Sequence, residues 1–412
     1  MSTDSRSGKV AINGAGNRRC QSWIDSFVAF TSNLESTPIW CRWSAISTVA
    51  AVLERKCWVT TSSPLYPNLY VFIVGDAGLG KSRPIDCAEA FMKKIPDFKF
   101  GATSMTMASL VDHMNEAKKV IIRLATKEDP LEYHTLTIVA DELSAFMHEY
   151  DNGLIAGLTK FYDCSEYSQG RRVGDIRIRI ANPQLNILSG TTPSNLLHFI
   201  PEPAWEQGFT SRVILIHSDA TDRDLIDVFH TPFRPMPADM VHDLEVISKL
   251  HGQFGWTEEW ARAMHNWKLA NFVVEGHPPP NHPRLKHYNS RRFAHAIKLS
   301  MISSVDRGNS LVLEKEDFNR ALGWLLEAEV AMPKIFEGGK SSGDSKAMDE
   351  ISHFIHAMGS ASEAQIVNFA RKRVQYATNI PKIIQVMEQG GMIVHCSNDS
   401  MGLKIFSAPL AN

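Results

Sequence analysis

An apolar run that leads directly into a glycine-rich loop is the feature that most constrains how this chain folds. The run LYVFIV (69–74) is typical of a buried strand, and GDAGLGKS (75–82) after it fits GxxxxGK[ST] in full. Glycines in such a loop let backbone N–H groups turn inward around phosphate oxygens, and the following helix adds positive potential at its amino end. The pattern predicts an α/β fold that holds ATP and Mg²⁺ here. The residues expected around the phosphates are Gly75, Asp76, Ala77, Gly78, Leu79, Gly80, Lys81 and Ser82.

Two side chains of this loop have separate roles in the prediction. Lys81 is expected to reach the β- and γ-phosphates, and the Ser82 hydroxyl to bind Mg²⁺. A chance glycine turn is the alternative, which the strand before the loop and the helix after it disfavour.

Strand-like and helix-like segments alternate beyond this loop. Such alternation predicts a parallel sheet with helices on both faces. After residue 220 the pattern is helical only, so we expect no further strands before the C-terminal region. The expected segments are helices at 81–95, 106–118, 142–149 and 153–163, with strands in HTLTIVADE, LNILSG and ILI near 213–216.

Six stretches of the chain are expected to be distinct regions. They are a polar tail at 1–19, an N-terminal helical segment at 20–58, a P-loop ATPase core at 59–220, a helical domain at 221–336, a linker at 337–346 and a small domain at 347–412. Glycine and serine in EGGKSSGDSK predict a flexible linker. Three short helical patterns followed by GGMIVHC and GLKIFSA favour a winged-helix-like fold for the last region.

An acid pair follows the second predicted strand. LTIVADELSAF places Asp141 at the strand tip, where it can hold the magnesium shell, and Glu142 beside it, where it can polarise a water in line with the γ-phosphate. Hydrolysis requires such a pair because its nucleophile is water. The alternative is a pair of surface carboxylates that cap the next helix.

Two threonines follow the third predicted strand, in LNILSGTTPSNL. A hydroxyl of Thr191 or Thr192 could hold the attacking water or contact the γ-phosphate, and we include both in the predicted catalytic set. A threonine that caps a helix before Pro193 is the alternative.

Arg212 stands directly before the last apolar run, in GFTSRVILI. We expect this strand at the sheet edge beyond the third strand, away from the chain's own phosphates. The guanidinium would then meet the γ-phosphate of a neighbouring copy as an arginine finger. A salt bridge to a local carboxylate is the alternative.

Composition limits the compartment and the class of partner. The formal net charge is −2, so a nucleic acid would have to meet local basic patches. The six cysteines are scattered without a CxxC pair, which disfavours a zinc ribbon or disulfide framework and favours the cytoplasm. No stretch approaches the ~18 apolar residues of a membrane span. Four histidines in and after HPPPNHPRLKHY lack metal-site spacing, and we expect a solvated loop there: His277, His282, His287 and His295.

Two basic segments are candidates for DNA contact. EYSQGRRVGDIRIRI (166–180) has two short β-like arms, and its arginines could track phosphates without reading bases: Arg171, Arg172, Arg177 and Arg179. A solvated hairpin whose arginines meet Glu166 and Asp175 is the alternative. In the C-terminal region, Arg371, Lys372, Arg373 and Lys382 surround a candidate recognition helix. A charged protein-docking module is the alternative there.

Five of these segments together resemble phage and prophage replication ATPases, a group that includes helicases and primase-helicases with an AAA+-like core. The matching segments are WCRWSAISTVAAVLERK, PNLYVFIVGDAGLGKS, IVADELSAF, ILSGTTPSNL and GFTSRVILI, within 37–220. The resemblance implies an AAA+ core of the superfamily III kind, in which 166–180 corresponds to a hairpin inside the central channel. It implies that 221–336 is a helical lid whose Arg291 or Arg292 contacts the nucleotide. It also implies a separate primase as partner.

The function expected from motifs and resemblance is an ATP-driven DNA helicase or translocase. It would work as a homo-oligomeric ring, expected to be a hexamer, in the cytoplasm of a bacterial host. Two alternatives stay open: a helicase loader or DNA remodeller that does not unwind, and an ATP-switched DNA-binding regulator. A small-molecule kinase is disfavoured because Glu142 suits water activation.

Overall fold

The computed structural model describes most of the chain and divides it into two compact units, Met1–Ile335 and Phe336–Asn412. The described residues are 17–121, 130–147, 151–171, 176–200, 204–205, 208–219, 235–337, 343–371, 380–398, 402 and 404–407. The division falls beside the predicted linker at 337–346. That linker is shorter than expected because a helix already begins at Gly343.

The first unit is α/β. Its strands are β1 (Cys57–Thr60), β2 (Pro64–Leu65), β3 (Tyr70–Val74), β4 (Lys118–Ile121), β5 (Leu131–Ala140), β6 (Tyr167–Arg171), β7 (Ile176–Ile180), β8 (Pro183–Thr191), β9 (Val213–His217), β10 (Gly252–Trp256) and β11 (Val312–Leu313). Its helices are α1 (Trp23–Phe30), α2 (Pro38–Leu53), α3 (Ser82–Met92), α4 (Met107–Glu116), α5 (Leu143–Phe146), α6 (Asn152–Tyr162), α7 (Pro193–Phe199), α8 (Pro237–Ser248), α9 (Glu258–Leu269), α10 (Lys286–Gly308) and α11 (Lys315–Ala331), with α12 (Lys334–Glu337) at the boundary.

A five-stranded sheet in the order β4-β5-β8-β3-β9 forms the centre of this unit. Strands β5, β8, β3 and β9 run parallel, and β4 is an antiparallel edge strand. Every residue of β3, β8 and β9 is buried, and the near-continuous apolar runs of β3 and β9 predict this for parallel strands covered on both faces. The expected parallel sheet is present, with β4 as an antiparallel edge strand. One expectation was wrong, because β9 pairs with β3 instead of lying beyond β8.

A second sheet, in the order β11-β10-β1-β2, combines strands from the N-terminal and C-terminal parts of this unit's sequence. The expectation that strands stop after residue 220 was therefore wrong. The predicted boundary at residue 58 also falls inside this sheet, because Cys57–Val59 pair in parallel with Gly252–Phe254. The segment before α1 packs against α8, where the buried Asp243 carboxylate accepts hydrogen bonds from the backbone N–H groups of Arg19 and Cys20.

The second unit is a small α/β module. Its elements in chain order are α13 (Gly343–Met358), β12 (Ser360–Ser362), α14 (Glu363–Ala370), α15 (Ile380–Gln389), β13 (Val394–Asn398) and β14 (Lys404–Ser407). The three strands form an antiparallel sheet in the order β12-β14-β13. Isoleucines from the helices pack with Phe406 of the sheet as its core. The predicted three helices and terminal hairpin are present, with β12 as an additional strand.

Candidate phosphate-loop site

The register of the central sheet gathers most of the predicted catalytic residues at one edge. Val74 pairs with Thr191, and Ala140 pairs with Ser189, so β3, β5 and β8 end at the same level. The glycine loop (75–82) follows β3, the acid pair follows β5, and the two threonines end β8. Parallel strands place their carboxyl ends on one side of a sheet, where ligands of open α/β folds bind.

The glycine loop has the backbone that its sequence predicts. Gly78 and Gly80 have φ angles of +82° and +79°, and α3 begins at Ser82. Lys81 is only 8% exposed, and its Nζ donates to the Asp76 carbonyl 2.8 Å away. Burial lowers the pKa of Lys81, against the opposing effect of the Glu142 and Asp76 carboxylates. The ammonium is therefore drawn into the loop and lies near the acid pair.

The segment between α1 and α2 supports the glycine loop from behind, which sequence reasoning missed. A Cβ at Gly80 would overlap the carbonyl oxygen of Glu35, and one at Gly75 would lie 2.6 Å from the Trp40 ring. Trp40 is itself held by a 3.2 Å hydrogen bond from Nε1 to the Ile216 carbonyl of β9. Two glycines of the motif are thus also required by packing against the N-terminal region.

A third carboxylate, Asp86, joins the predicted acids. It lies one helical turn after Ser82 on α3, beside Asp141. Partial burial and the neighbouring Asp141 charge raise the pKa of Asp86 to about 6. The i, i+4 spacing from Ser82 was the signal that could have identified it. Gly190 leaves room for this edge, since a Cβ there would overlap the Asp141 carbonyl.

Asn195 connects the end of β8 to the acid pair and was also missed. Its Nδ2 donates to Glu142 Oε1 at 3.2 Å, while its backbone N–H donates to the Thr192 hydroxyl at 3.2 Å. Thr192 therefore caps α7, the alternative considered for it. Thr191 is fully buried, and its hydroxyl donates to the Thr192 carbonyl. The side chain that hydrogen-bonds Glu142 is the Asn195 amide, and the roles expected for the two threonine hydroxyls stay predictions.

Arg212 lies at the other end of the sheet, directly before β9. Its Nε donates to Asp163 at 3.1 Å and its Nη2 to the same carboxylate at 2.5 Å. Its Nη1 donates to the Gly208 carbonyl, and the side chain is 8% exposed. The local salt bridge, the alternative for this residue, is what the single chain forms. Contact with a neighbouring copy stays a prediction.

The structure does not bring Arg291 or Arg292 to the glycine loop. Arg292 is fully buried and pairs in two-pronged fashion with Glu329, with both N···O distances 2.8 Å. Arg291 is partly exposed and lies 3.4 Å from Asp163, beside Arg212. The implied contact of Arg291 or Arg292 with a nucleotide stays a prediction.

The predicted hairpin is present as β6 and β7, paired from Tyr167–Ile180 to Arg171–Ile176. Arg172 lies outside the described residues. Arg171 and Arg177 are described only by their backbones, which pair with Ile176 and Gly170 respectively. The exposed Arg179 forms two 2.9 Å hydrogen bonds with Glu166, which was the alternative for this residue. One of four arginines thus has a local partner.

The basic residues of the second unit are only partly described. Lys382 is exposed on α15, and Arg371 is exposed at the end of α14. Lys372 and Arg373 lie outside the described residues.

The four histidines do not share one environment. His282 accepts the backbone N–H of Arg284, and His295 is fully buried in α10, so the expected solvated loop was wrong for His295. His277 is exposed and His287 is half-buried. Within the described ranges, no group of three or more His, Cys, Asp or Glu side chains is arranged to hold a metal ion.

Comparison with known proteins adds no family to this description. No protein-family model matches the chain, and no curated protein matches it. Over the part of the chain that the structure describes, no helix has both the length and the apolar character needed to cross a membrane.

Proposed function

We propose that this chain binds ATP and Mg²⁺ at the glycine loop and hydrolyses ATP. The observation that carries the proposal is the strand register, which puts the loop, Asp141, Glu142 and Asn195 at one sheet edge. Glu142 would orient the attacking water, and Asn195 would hold that carboxylate in place. Lys81 would leave the Asp76 carbonyl for the phosphates.

The donor set fits a hard divalent cation. Mg²⁺ prefers oxygen ligands and often uses one or two carboxylates together with phosphate oxygens. Ser82, Asp86 and Asp141 offer a hydroxyl and two adjacent carboxylates beside the loop. Burial and the neighbouring Asp141 charge raise the pKa of Asp86, and a bound cation would offset that like charge. When bound, Mg²⁺ would neutralise phosphate charge. Ser82 and Asp141 would hold it, with Asp86 close by.

The finer assignment is an AAA+ ATPase of the phage and prophage replication type. Two observations support it: β8 separates the loop strand β3 from the acid strand β5, and the second unit has the helix–strand–helix–helix–hairpin order of a winged helix. We infer a homo-oligomeric ring, expected to be a hexamer, that translocates on DNA as a helicase in the cytoplasm. Arg212 would serve a neighbouring site, the β6–β7 hairpin and Lys382 would contact DNA, and a separate primase would act with the ring.

The first test is ATP turnover by Lys81→Ala. Turnover should be abolished because the phosphates lose their only loop cation, while Lys94→Ala, at an exposed position just beyond α3, should turn over normally. Retained turnover by Lys81→Ala would remove the nucleotide assignment.

The second test is strand separation on a forked duplex with Mg²⁺ and ATP. A helicase opens the fork in step with hydrolysis. ATP turnover with the fork left intact would instead identify a loader, remodeller or ATP-switched regulator.

A further inference from the structure

Two arginines from distant parts of the chain share one carboxylate. Arg212, before β9, and Arg291, in the first turns of α10, both contact Asp163 at the end of α6. Lys298 lies two helical turns after Arg291 on α10 and is 1% exposed. Its Nζ lies 2.8 Å from both the backbone and the side-chain oxygen of Asn68. We call these four side chains the arginine cluster: Asp163, Arg212, Arg291 and Lys298.

The arginine cluster carries an excess of positive charge. Two guanidinium groups meet a single carboxylate, and among the described residues no second acidic side chain pairs with either arginine. A carboxylate offers a guanidinium the same two-pronged acceptor geometry as a phosphate, with less charge. The positive charge of the cluster thus exceeds the negative charge of Asp163, and a phosphate would neutralise more of it.

The cluster cannot serve the chain's own glycine loop. Val213 pairs with Tyr70, the first residue of β3, whereas the loop follows Val74, the last. At about 3.3 Å per residue the two ends of β3 are about 13 Å apart, beyond the reach of an arginine side chain. Any phosphate that meets Arg212 and Arg291 must therefore belong to another molecule.

The two sides of the ion pair differ in freedom to move. Arg212 is 8% exposed and is also held by the Gly208 carbonyl, while the Asp163 side chain is 35% exposed at a helix end. Asp163 can therefore rotate into solvent while Arg212 stays in place.

We propose that Asp163 is a positioning residue that holds Arg212 in the separate protomer and is exchanged for the γ-phosphate of ATP on a second copy. Arg291 is the second cation that this phosphate meets. The exchange replaces one carboxylate by a more highly charged group and leaves both arginines better neutralised. This inference rests on the proposed ATPase function and gives it a link between assembly and turnover.

The test is ATP turnover by full-length Asp163→Asn, measured across protein concentrations together with mass in solution. Loss of the internal competitor should lower the concentration for half-maximal turnover by about fivefold, the scale of a partly exposed ion pair. Glu327→Gln, which breaks the exposed pair with Arg42, is the matched control and should not shift it. An unchanged or higher half-maximal concentration overturns the proposal.

Asp163→Glu keeps the charge but displaces it by one methylene, so it covers the case in which Asp163→Asn fails to fold. It should lower the half-maximal concentration by a smaller factor, and an increase would again overturn the proposal. Mixing Arg212→Ala with Lys81→Ala tests the shared site separately from the exchange at Asp163. If mixed rings regain turnover but Asp163→Asn has no effect on the half-maximal concentration, only the proposed exchange at Asp163 is overturned. If rings shown to mix regain no turnover, the proposal of a site shared between copies is itself overturned.

Discussion

Arg291 and Arg292 are adjacent in sequence, yet α10 turns them to opposite environments. Successive helical residues point about 100° apart, so one side chain faces the unit's interior and the other its surface. Arg292 fills a fully buried position with Glu329, Tyr288 and the Phe272 carbonyl around it. The pattern SRRFAH could not show this, because the buried partner Glu329 lies on another helix.

Replacing Arg292 should test whether it is structural. Arg292→Ala leaves the Glu329 carboxylate buried and unpaired, so the free energy of unfolding should fall by about 3–5 kcal/mol. Arg291→Ala, at a partly exposed pair, should cost less than about 1 kcal/mol. Urea unfolding of both variants checks the difference. Near-equal losses would show that the Arg292 pair contributes no more than a surface contact.

His295 predicts how stability depends on pH. Burial lowers the pKa of its imidazole from 6.5 to about 3, and its Nε2 lies 3.0 Å from the Ser211 carbonyl. The unfolded chain therefore takes up this proton first as the pH falls. The stability due to the neutral ring is complete above pH 6.5 and declines below it, by up to about 1.4 kcal/mol per pH unit.

The measurement is the free energy of unfolding at several pH values below 6.5. His295→Gln should flatten the acid side of the profile, and His277→Gln, at an exposed position, should leave it unchanged. An acid slope equally steep in His295→Gln would assign the pH dependence to other groups.

At the level of elements, continuous apolar runs were readable and short or glycine-containing strands were not. YVFIV, LTIVA and VILI are long enough to indicate strands without context. In β10, GQFGW contains two glycines and one buried residue, and it is a strand because β1 and β11 pair on either side of it. Contacts between segments so far apart in sequence leave no local pattern.

The glycine loop and the α1–α2 segment form one packed structure, and two glycines can separate their contributions. Gly78 and Gly80 have nearly equal positive φ angles, so alanine at either costs similar backbone strain. Only at Gly80 does the new Cβ overlap Glu35. Gly80→Ala should therefore weaken ATP binding much more than Gly78→Ala does, as equilibrium titration with a fluorescent ATP analogue would show. Equal losses would mean that the Glu35 contact yields without cost.

At the level of the whole molecule, the glycine loop, its acids and the arginine cluster all lie in the first unit. The sequence located the sheet edge proposed as catalytic because motif and strand patterns are local. It missed Asp86, Asn195 and the Arg291–Asp163 contact, since each depends on how elements pack. The sequence patterns also predicted 20–58 and 221–336 as separate regions, although β1 and β10 pair in one sheet.

A chain that stops after Glu337 should separate the two units. Basal ATP turnover should persist because every residue of the proposed site remains, while DNA affinity should fall. In the full chain, Lys382→Ala should weaken DNA binding alike for all sequences and reduce the salt dependence by about one phosphate contact. Filter binding at several salt concentrations checks both. Undiminished DNA affinity after truncation would assign DNA contact to the first unit alone.

The pairing of β1 with β10 also governs the order in which the protein can form. Val59 is made early on the ribosome, but its partner Phe254 emerges only after the entire central sheet has been synthesised. Pairings between such distant segments are slow because a long loop must close before they stabilise anything. The second sheet therefore forms only after the central sheet has been synthesised, and a nascent chain that does not yet extend past Phe254 should lack it.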